Sequence, residues 1–275
     1  MTGQIRAESA GSGSGAGRTA LITGASSGIG KELTALFAQD GYNVVLVSRR
    51  TAVLEAMAQD LAARHGITAL VLTEDLRLDD APSDIYNTLA AQSVTIDILV
   101  NNAGVGVFGE FHETDAEADL DILRVNLQAA VHLTKVFLPG MVSRRAGKIL
   151  NLSSTAAFQP GPLMSVYYAS KAFLFSWSEA LRDELRGTGV TVTVLCPGPT
   201  PTGFQERAGI GHLRIQRGAV LPLTSAERVA RDGYRGLMAG KQYVIPGAVN
   251  SIAARAARLV SPALAARVVH ALHRP

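Results

Sequence analysis

The chain has 275 residues, with 26 lysines and arginines against 23 aspartates and glutamates, and its net charge of +3 is too mild for a dedicated nucleic-acid binder. Its 47% hydrophobic and 18% charged residues suit a sizeable core and exclude a largely disordered chain. A single cysteine, Cys196, excludes an internal disulfide framework and a cysteine-based zinc site, and no apolar run approaches the roughly 18 residues of a membrane span. The six histidines show no metal-ligand spacing, so no metal is assigned. Without a continuous apolar stretch near the N-terminus, a reduced, soluble, cytoplasmic α/β protein is the expectation.

Residues 1–18 are mostly Gly, Ser and Ala, including Gly11-Ser12-Gly13-Ser14-Gly15, and read as a flexible tail. Short apolar runs then alternate with helical patterns. The runs are Thr19–Thr23, Asn43–Ser48, Ala69–Thr73, Ile96–Asn101, Gly147–Leu152 and Thr191–Cys196. Helical patterns lie around Gly30–Asp40, Ala52–His65, Ala81–Ala91, Ala116–Ser143 and Ser165–Gly187. Apolar strands separated by helices predict one doubly wound domain, a parallel sheet covered on both faces, with its ligand at the strands' C-terminal edge. The domain is assigned to residues 19–249, and 250–275 to a basic helical extension.

The first strand runs into Thr23-Gly24-Ala25-Ser26-Ser27-Gly28-Ile29-Gly30, directly before a helix. Glycines there let the backbone approach a pyrophosphate, and the helix N-terminus offers free N–H groups and partial positive charge. The second strand ends in Ser48-Arg49-Arg50 with no acid. A carboxylate at that position would grip ribose hydroxyls, whereas a guanidinium binds a 2′-phosphate. NADP(H) is therefore expected over NAD(H), with Arg49 as first contact and Arg50 as second. Tyr167 and Lys171 are i,i+4 neighbours, so phenol and ammonium project from one helix face. A nearby positive charge favours phenolate, which would let Tyr167 exchange a proton with a substrate oxygen.

With these motifs together, the sequence resembles the short-chain dehydrogenase/reductase family, whose fold is the doubly wound Rossmann sheet. The likeness runs from about Arg18 to Thr202. It implies that Gly24, Ser26, Ser27, Gly28, Ile29 and Gly30 hold the cofactor, with Asp75 and Leu76 around adenine and Asn102-Ala103-Gly104 bordering it. Pro197, Gly198, Thr200 and Thr202 resemble the segment on the nicotinamide side. The resemblance makes Ser154, 13 residues before Tyr167, the catalytic serine, and Asn126 a structural and proton-relay residue. Ser154 would hold the substrate oxygen, Tyr167 exchange the proton, Lys171 contact the ribose and lower the tyrosine pKa, and Asn126 position a water. The implied reaction is hydride transfer between NADPH and a carbonyl or alcohol. An NADPH-binding redox sensor and a related epimerase or dehydratase are the alternatives.

Past Thr202 the likeness thins. Residues 203–223 occupy the place of a substrate lid: Phe204, Ile210, Leu213, Ile215, Val220 and Leu221 are apolar, interrupted by Arg207, His212, Arg214 and Arg217. With Phe158, Pro160, Leu163 and Met164, they suggest a partly apolar small-molecule substrate. Cys196 reads as a small buried hydrophobe. Where the family's tetramers use a terminal Asp-Gly-Gly segment, this chain has Lys241-Gln242-Tyr243-Val244-Ile245-Pro246-Gly247, and the resemblance implies instead a homodimer through helices 116–143 and 165–187. After Asp232 there is no acidic residue and six basic ones. The terminus predicts a helix capped by Ser261 with Pro262 first. Leu264, Val268, Ala271 and Leu272 are expected on its packed face, and Arg267, His270 and Arg274 on its solvated face. Contact with a membrane surface through this helix is the secondary reading.

Overall fold

The computed structural model describes residues 13–211, 213 and 222–273. Seven parallel strands form one sheet in the order β3-β2-β1-β4-β5-β6-β7. They are β1 (Thr19–Thr23), β2 (Asn43–Ser48), β3 (Ala69–Thr73), β4 (Ile98–Asn101), β5 (Gly147–Leu152), β6 (Val190–Leu195) and β7 (Tyr243–Val244). Six match the predicted runs within two residues at either end. The two-residue β7 was not predicted, because Tyr243-Val244 is too short to show a period.

Alternation along the strands sorts the core into two layers. Ala20, Ile22, Val44, Leu46, Ile98, Val100 and Leu150 face one side, against Leu33 and Phe37 of α1 (Gly28–Gln39), Leu54 and Leu61 of α2 (Thr51–His65), and Val229 and Leu237 of α8 (Ala226–Met238). Leu21, Val45, Leu99 and Ile149 face the other. There they meet Ile85 and Leu89 of α3 (Ala81–Ala91), Leu133 and Phe137 of α5 (Ala129–Ser143), and Leu181 of α6 (Ser165–Glu184). Each such side chain contributes about 1.5–3 kcal/mol of burial, so both faces of the sheet are strongly specified.

The strand order reverses between β1 and β4, and this is where a cleft opens at the C-terminal edge. Thr23 ties the two strand ends together. Its hydroxyl donates to Val100 O at 3.2 Å and accepts from the N–H groups of Asn102 and Ala103, both at 3.0 Å.

Four expectations need correction. Order begins before Arg18: Gly15 N donates to Asp40 O at 2.9 Å, Ser14 Oγ to Asp40 Oδ2 at 2.8 Å, and the Arg18 guanidinium covers Tyr42. Glycines 13 and 15 let this turn lie flat on the end of α1, so small residues here serve close packing; residues 1–12 of the expected tail lie outside the described residues. The helical pattern 116–143 is interrupted. α4 (Ala116–Leu123) passes into a π-helical turn, Arg124–Gln128, before α5, and that wider turn carries Asn126 inward. The 249/250 boundary falls inside α9 (Ala248–Ala257), whose Asn250 and Ala254 are buried.

The fourth correction concerns α10 (Pro262–His273), whose inward face is Ala265, Val269 and His273. Leu264 and Val268 stand half-exposed, so the packed stripe is rotated by one residue from the expected one. Small Ala265 lets the helix approach closely, and His273 finds polar partners that a periodicity argument does not count. Among the described residues, no helix is long and apolar enough to cross a membrane.

Candidate active site

The cleft at the switch point has a cavity volume of about 370 Å³ and two chemically different halves. One half is built by the β1–α1 turn. Gly24 has φ +65°, and a Cβ on Gly30 would lie 2.4 Å from Asn102 Nδ2 and 2.5 Å from Gly24 O. Gly30 thus supports the cradle from behind, while Gly24, Ser26, Ser27, Gly28 and Ile29 line it. Asn102 fixes the turn by donating from Nδ2 to Thr23 O at 2.8 Å. Among the described residues, no group of three or more His, Cys, Asp or Glu side chains could hold a metal.

Arg49 and Arg50 both reach this half. Arg50 is pinned: its guanidinium donates to Ser26 O at 2.8 Å and to Ser26 Oγ at 2.9 Å. A third arginine, Arg207 at the end of α7 (Gly203–Arg207), lines the same wall; burial, then Arg50 and Arg49, lower its pKa. Sequence reasoning assigned Arg207 to the lid. The usable signal was the Thr202…Gln205 capping box, which starts a short helix and so sets where Arg207 projects. At the end of the cleft beyond β3, Asp75 and Leu76 line the wall, joined by Glu74 and Arg77. Asp75 also accepts from Arg77 Nε at 2.9–3.0 Å and from its backbone N–H at 3.1 Å, and these bonds hold its carboxyl below the usual range. Asp75 therefore caps the next segment as well as facing the cleft.

The other half gathers the candidate proton chemistry. Ser154, at the end of β5, caps the 3-10 turn Thr155–Phe158 by accepting from Ala156 N at 3.1 Å, and it donates to Pro197 O at 3.4 Å. Neighbouring Ser153 is buried and gives its hydrogen to Lys171 O at 2.8 Å, so adjacent serines serve opposite sides. Tyr167 and Lys171 leave one face of α6, with Lys171 Nζ 5.6 Å from the Tyr167 ring centre and donating to Leu152 O at 2.9 Å.

Burial dominates the electrostatics on protein groups alone. The Tyr167 phenol is pushed up to about 12, against a smaller lowering by its hydrogen bond with Ser154. Burial also brings Lys171 down to about 8. Lys171 thus does not produce the expected lowering of Tyr167: burial raises the phenol, and the bond with Ser154 is the opposing cause.

Gly104 separates this pair from Asn126: a Cβ there would lie 3.4 Å from both Asn126 Oδ1 and Lys171 Nζ. Asn126 lies behind the main cleft. It accepts from Val105 N at 2.9 Å and donates to Val105 O at 3.1 Å and Ser170 Oγ at 3.0 Å. Ala103 and Gly104 border the cleft on one side, and Pro197, Gly198, Thr200 and Thr202 on the other.

Beyond the proton groups the wall turns apolar, with Met164, Phe204, Ile210 and Leu213. Phe158 packs elsewhere, 5.0 Å from the Phe175 ring and under the Arg258 guanidinium. His212, Arg214, Ile215, Arg217, Val220, Leu221 and Arg274 lie outside the described residues. Cys196 is fully buried, and burial raises its thiol to about 12, away from reactive thiolate.

A family model described as short chain dehydrogenase matches residues 18–210, the sheet from β1 to β6 with both halves of the cleft. The chain belongs to the short-chain dehydrogenase family. Among family relatives, it is 40% identical over 182 residues to a very-long-chain 3-oxoacyl-CoA reductase of Phaeosphaeria nodorum, covering 64% of this chain and 53% of that protein. It is 39% identical over 184 residues to the 17-beta-hydroxysteroid dehydrogenase type 3 of Mus musculus, covering 66% and 59%. The chain thus spans a little over half the length of these curated relatives. A solved short-chain dehydrogenase from Sphingobium yanoikuyae in complex with NADPH superposes with TM-score 0.75 and 31% identity, covering 88% of this chain and 94% of that one. A family member from Burkholderia phymatum in complex with NAD gives TM-score 0.78 at 26% identity, covering 87% and 92%.

Proposed function

We propose that this short-chain dehydrogenase is an NADP(H)-dependent oxidoreductase interconverting a ketone and a secondary alcohol on a largely apolar molecule. The observation that carries the reading is the meeting of Ser154, Tyr167 and Lys171 in the same cleft as the glycine turn. The cradle fits a dinucleotide: left-handed backbone at Gly24 and Gly28 (φ +65° and +56°) shapes an open glycine turn at the start of α1, and no acid ends β2 to oppose a 2′-phosphate. The glycine turn, Arg49, Arg50, Asp75, Leu76 and the Pro197–Thr202 segment would hold it, and the bound dinucleotide would supply or accept the hydride.

The chain's own groups handle the oxygen. Ser154 donates a hydrogen bond to the carbonyl oxygen and orients it toward Tyr167. A phenol near 12 is protonated at neutral pH, the state from which Tyr167 would give a proton to the developing alkoxide during reduction. Lys171, about 8, is still largely an ammonium at neutral pH and stabilises the phenolate left behind. Asn126 holds the backbone at Val105 and the Ser170 hydroxyl, and so anchors the wall through which Lys171 would be reprotonated.

Tyr167→Phe should lower NADPH-dependent reduction of a ketone panel by about 10²–10⁴-fold, followed by NADPH absorbance, with NADPH binding retained. An active variant removes Tyr167 from the reaction. The apolar wall of Met164, Phe204, Ile210 and Leu213 supports an apolar ketone, as do relatives named for 3-oxoacyl-CoA and hydroxysteroid substrates.

Two outward faces belong to the same proposal. Leu120 and Leu123 on α4 and Phe173 on α6 are exposed on helices that pack against each other, which supports a dimer through these helices. Ile252, Leu259, Leu264 and Val268 are exposed on and between α9 and α10, with Arg255 and Arg267 alongside, which supports weak contact with an anionic membrane surface.

A further inference from the structure

His273 lies at the far end of α10, yet it lines the substrate half of the cleft. Its ring is 2% exposed and placed between two polar partners. Nδ1 is 2.8 Å from Pro162 O, and a carbonyl oxygen only accepts, so Nδ1 carries the proton. Nε2 is then left with a lone pair, and the Tyr168 hydroxyl donates to it at 3.1 Å. Burial lowers the His273 pKa and keeps this neutral tautomer. Phe108 meets the ring edge-on at 6.3 Å.

The segment that His273 grips leads into α6. Leu163 holds a left-handed backbone at φ +67°, a strained conformation for a bulky residue. Gly161 lies flat on the Tyr168 ring, where a Cβ would fall 2.1 Å from it. Met164 N donates to Gly161 O at 3.1 Å, and Tyr168 N to Met164 O at 3.0 Å. Val269, one turn earlier on α10, packs in the same apolar cluster as Met164, Tyr168, Ile210 and Leu213.

We infer that α10 is a wall of the substrate chamber, latched by His273 to Tyr168 and Pro162, and that this latch makes His273 a positioning residue that sets the chamber's depth. The inference rests on the proposed function for what enters the chamber, but the latch itself does not. It holds the 160–164 turn against its strain and thereby the start of the helix that presents Tyr167. An apolar group on the substrate would be limited in size by the His273 ring, which Val269 supports from within the buried cluster.

The test compares the full chain with His273→Ala and His273→Gln, since a glutamine amide both donates and accepts. Amide hydrogen exchange over residues 160–168 should speed up at least tenfold in His273→Ala and return toward wild type in His273→Gln. With NADPH and straight-chain 2-alkanones of increasing length, His273→Ala should raise KM for short ketones about tenfold, with kcat changed less than threefold, and shift the preferred length upward. Unchanged exchange in His273→Ala overturns the latch. Faster exchange with an unchanged length profile overturns its control of chamber depth. A wild-type chain that binds NADPH but reduces no ketone overturns the proposed function instead, and exchange alone then judges the latch.

Discussion

Arg49 and Arg50 leave the same strand end in different situations. Arg50 spends its guanidinium on Ser26, and Arg49 has no hydrogen-bond partner among the described residues. Arg50 therefore stiffens the glycine turn, while the proposed function has Arg49 keep its donors for a 2′-phosphate. A charge-assisted bond of this kind contributes about 1.5–3 kcal/mol. Arg49→Ala should accordingly raise the NADPH dissociation constant by roughly 10–100-fold. NADH should change about threefold or less, and fluorescence titration of both nucleotides checks this. Equal losses would mean that Arg49 does not read the phosphate. Tyr167 and Tyr168 make a second contrast, with one phenol bonded to Ser154 and its neighbour committed to His273. The Tyr-x-x-x-Lys spacing singled out the first; nothing local marked the second.

At the scale of elements, α1 is set by its first turn. Gly30 has no room for a methyl group between Asn102 and Gly24, so a side chain there must displace the turn that borders the cleft. Gly30→Ala should cost about 1–3 kcal/mol of overpacking. For a domain of this size that lowers Tm by roughly 2–10 °C, and thermal unfolding with and without NADPH is the measurement. A variant as stable as wild type, with unaltered nucleotide affinity, would show that the turn tolerates the change. The π-helical turn at Arg124–Gln128 was hidden from periodicity, because one widened turn barely perturbs a pattern spread over 116–143. Its effect is to aim Asn126 at Val105 and Ser170. α10 carries the same lesson: the stripes 264/268/272 and 265/269/273 are adjacent on a helix, and local pattern preferred the greasier one.

At the scale of the whole molecule, the two outward apolar faces lie on different elements and are separable by experiment. Sedimentation velocity should show a dimer that Phe173→Glu converts to monomer, while Leu264→Glu leaves it intact. Vesicles containing phosphatidylglycerol should retain the wild-type chain and release Leu264→Glu, with Phe173→Glu still bound. A monomeric wild type refutes the α4–α6 face as a dimer contact, and indifference to vesicles refutes the α9–α10 face as a membrane contact.

The amino-acid order alone determined the alternation of strands and helices, the glycine turn after β1, the absence of an acid at the end of β2, and the placing of Tyr167 and Lys171 on one helix face. Each depends on residues a few positions apart, whose geometry is that of a strand, a helix or a turn. Tertiary structure alone decided that Gly13–Gly17 fold onto α1, that Arg50 is pinned while Arg207 joins the wall, and that His273 reaches Tyr168 and Pro162 across more than 100 residues. Such contacts arise from summed packing of whole elements, and a partner found through space leaves no period or spacing in the chain.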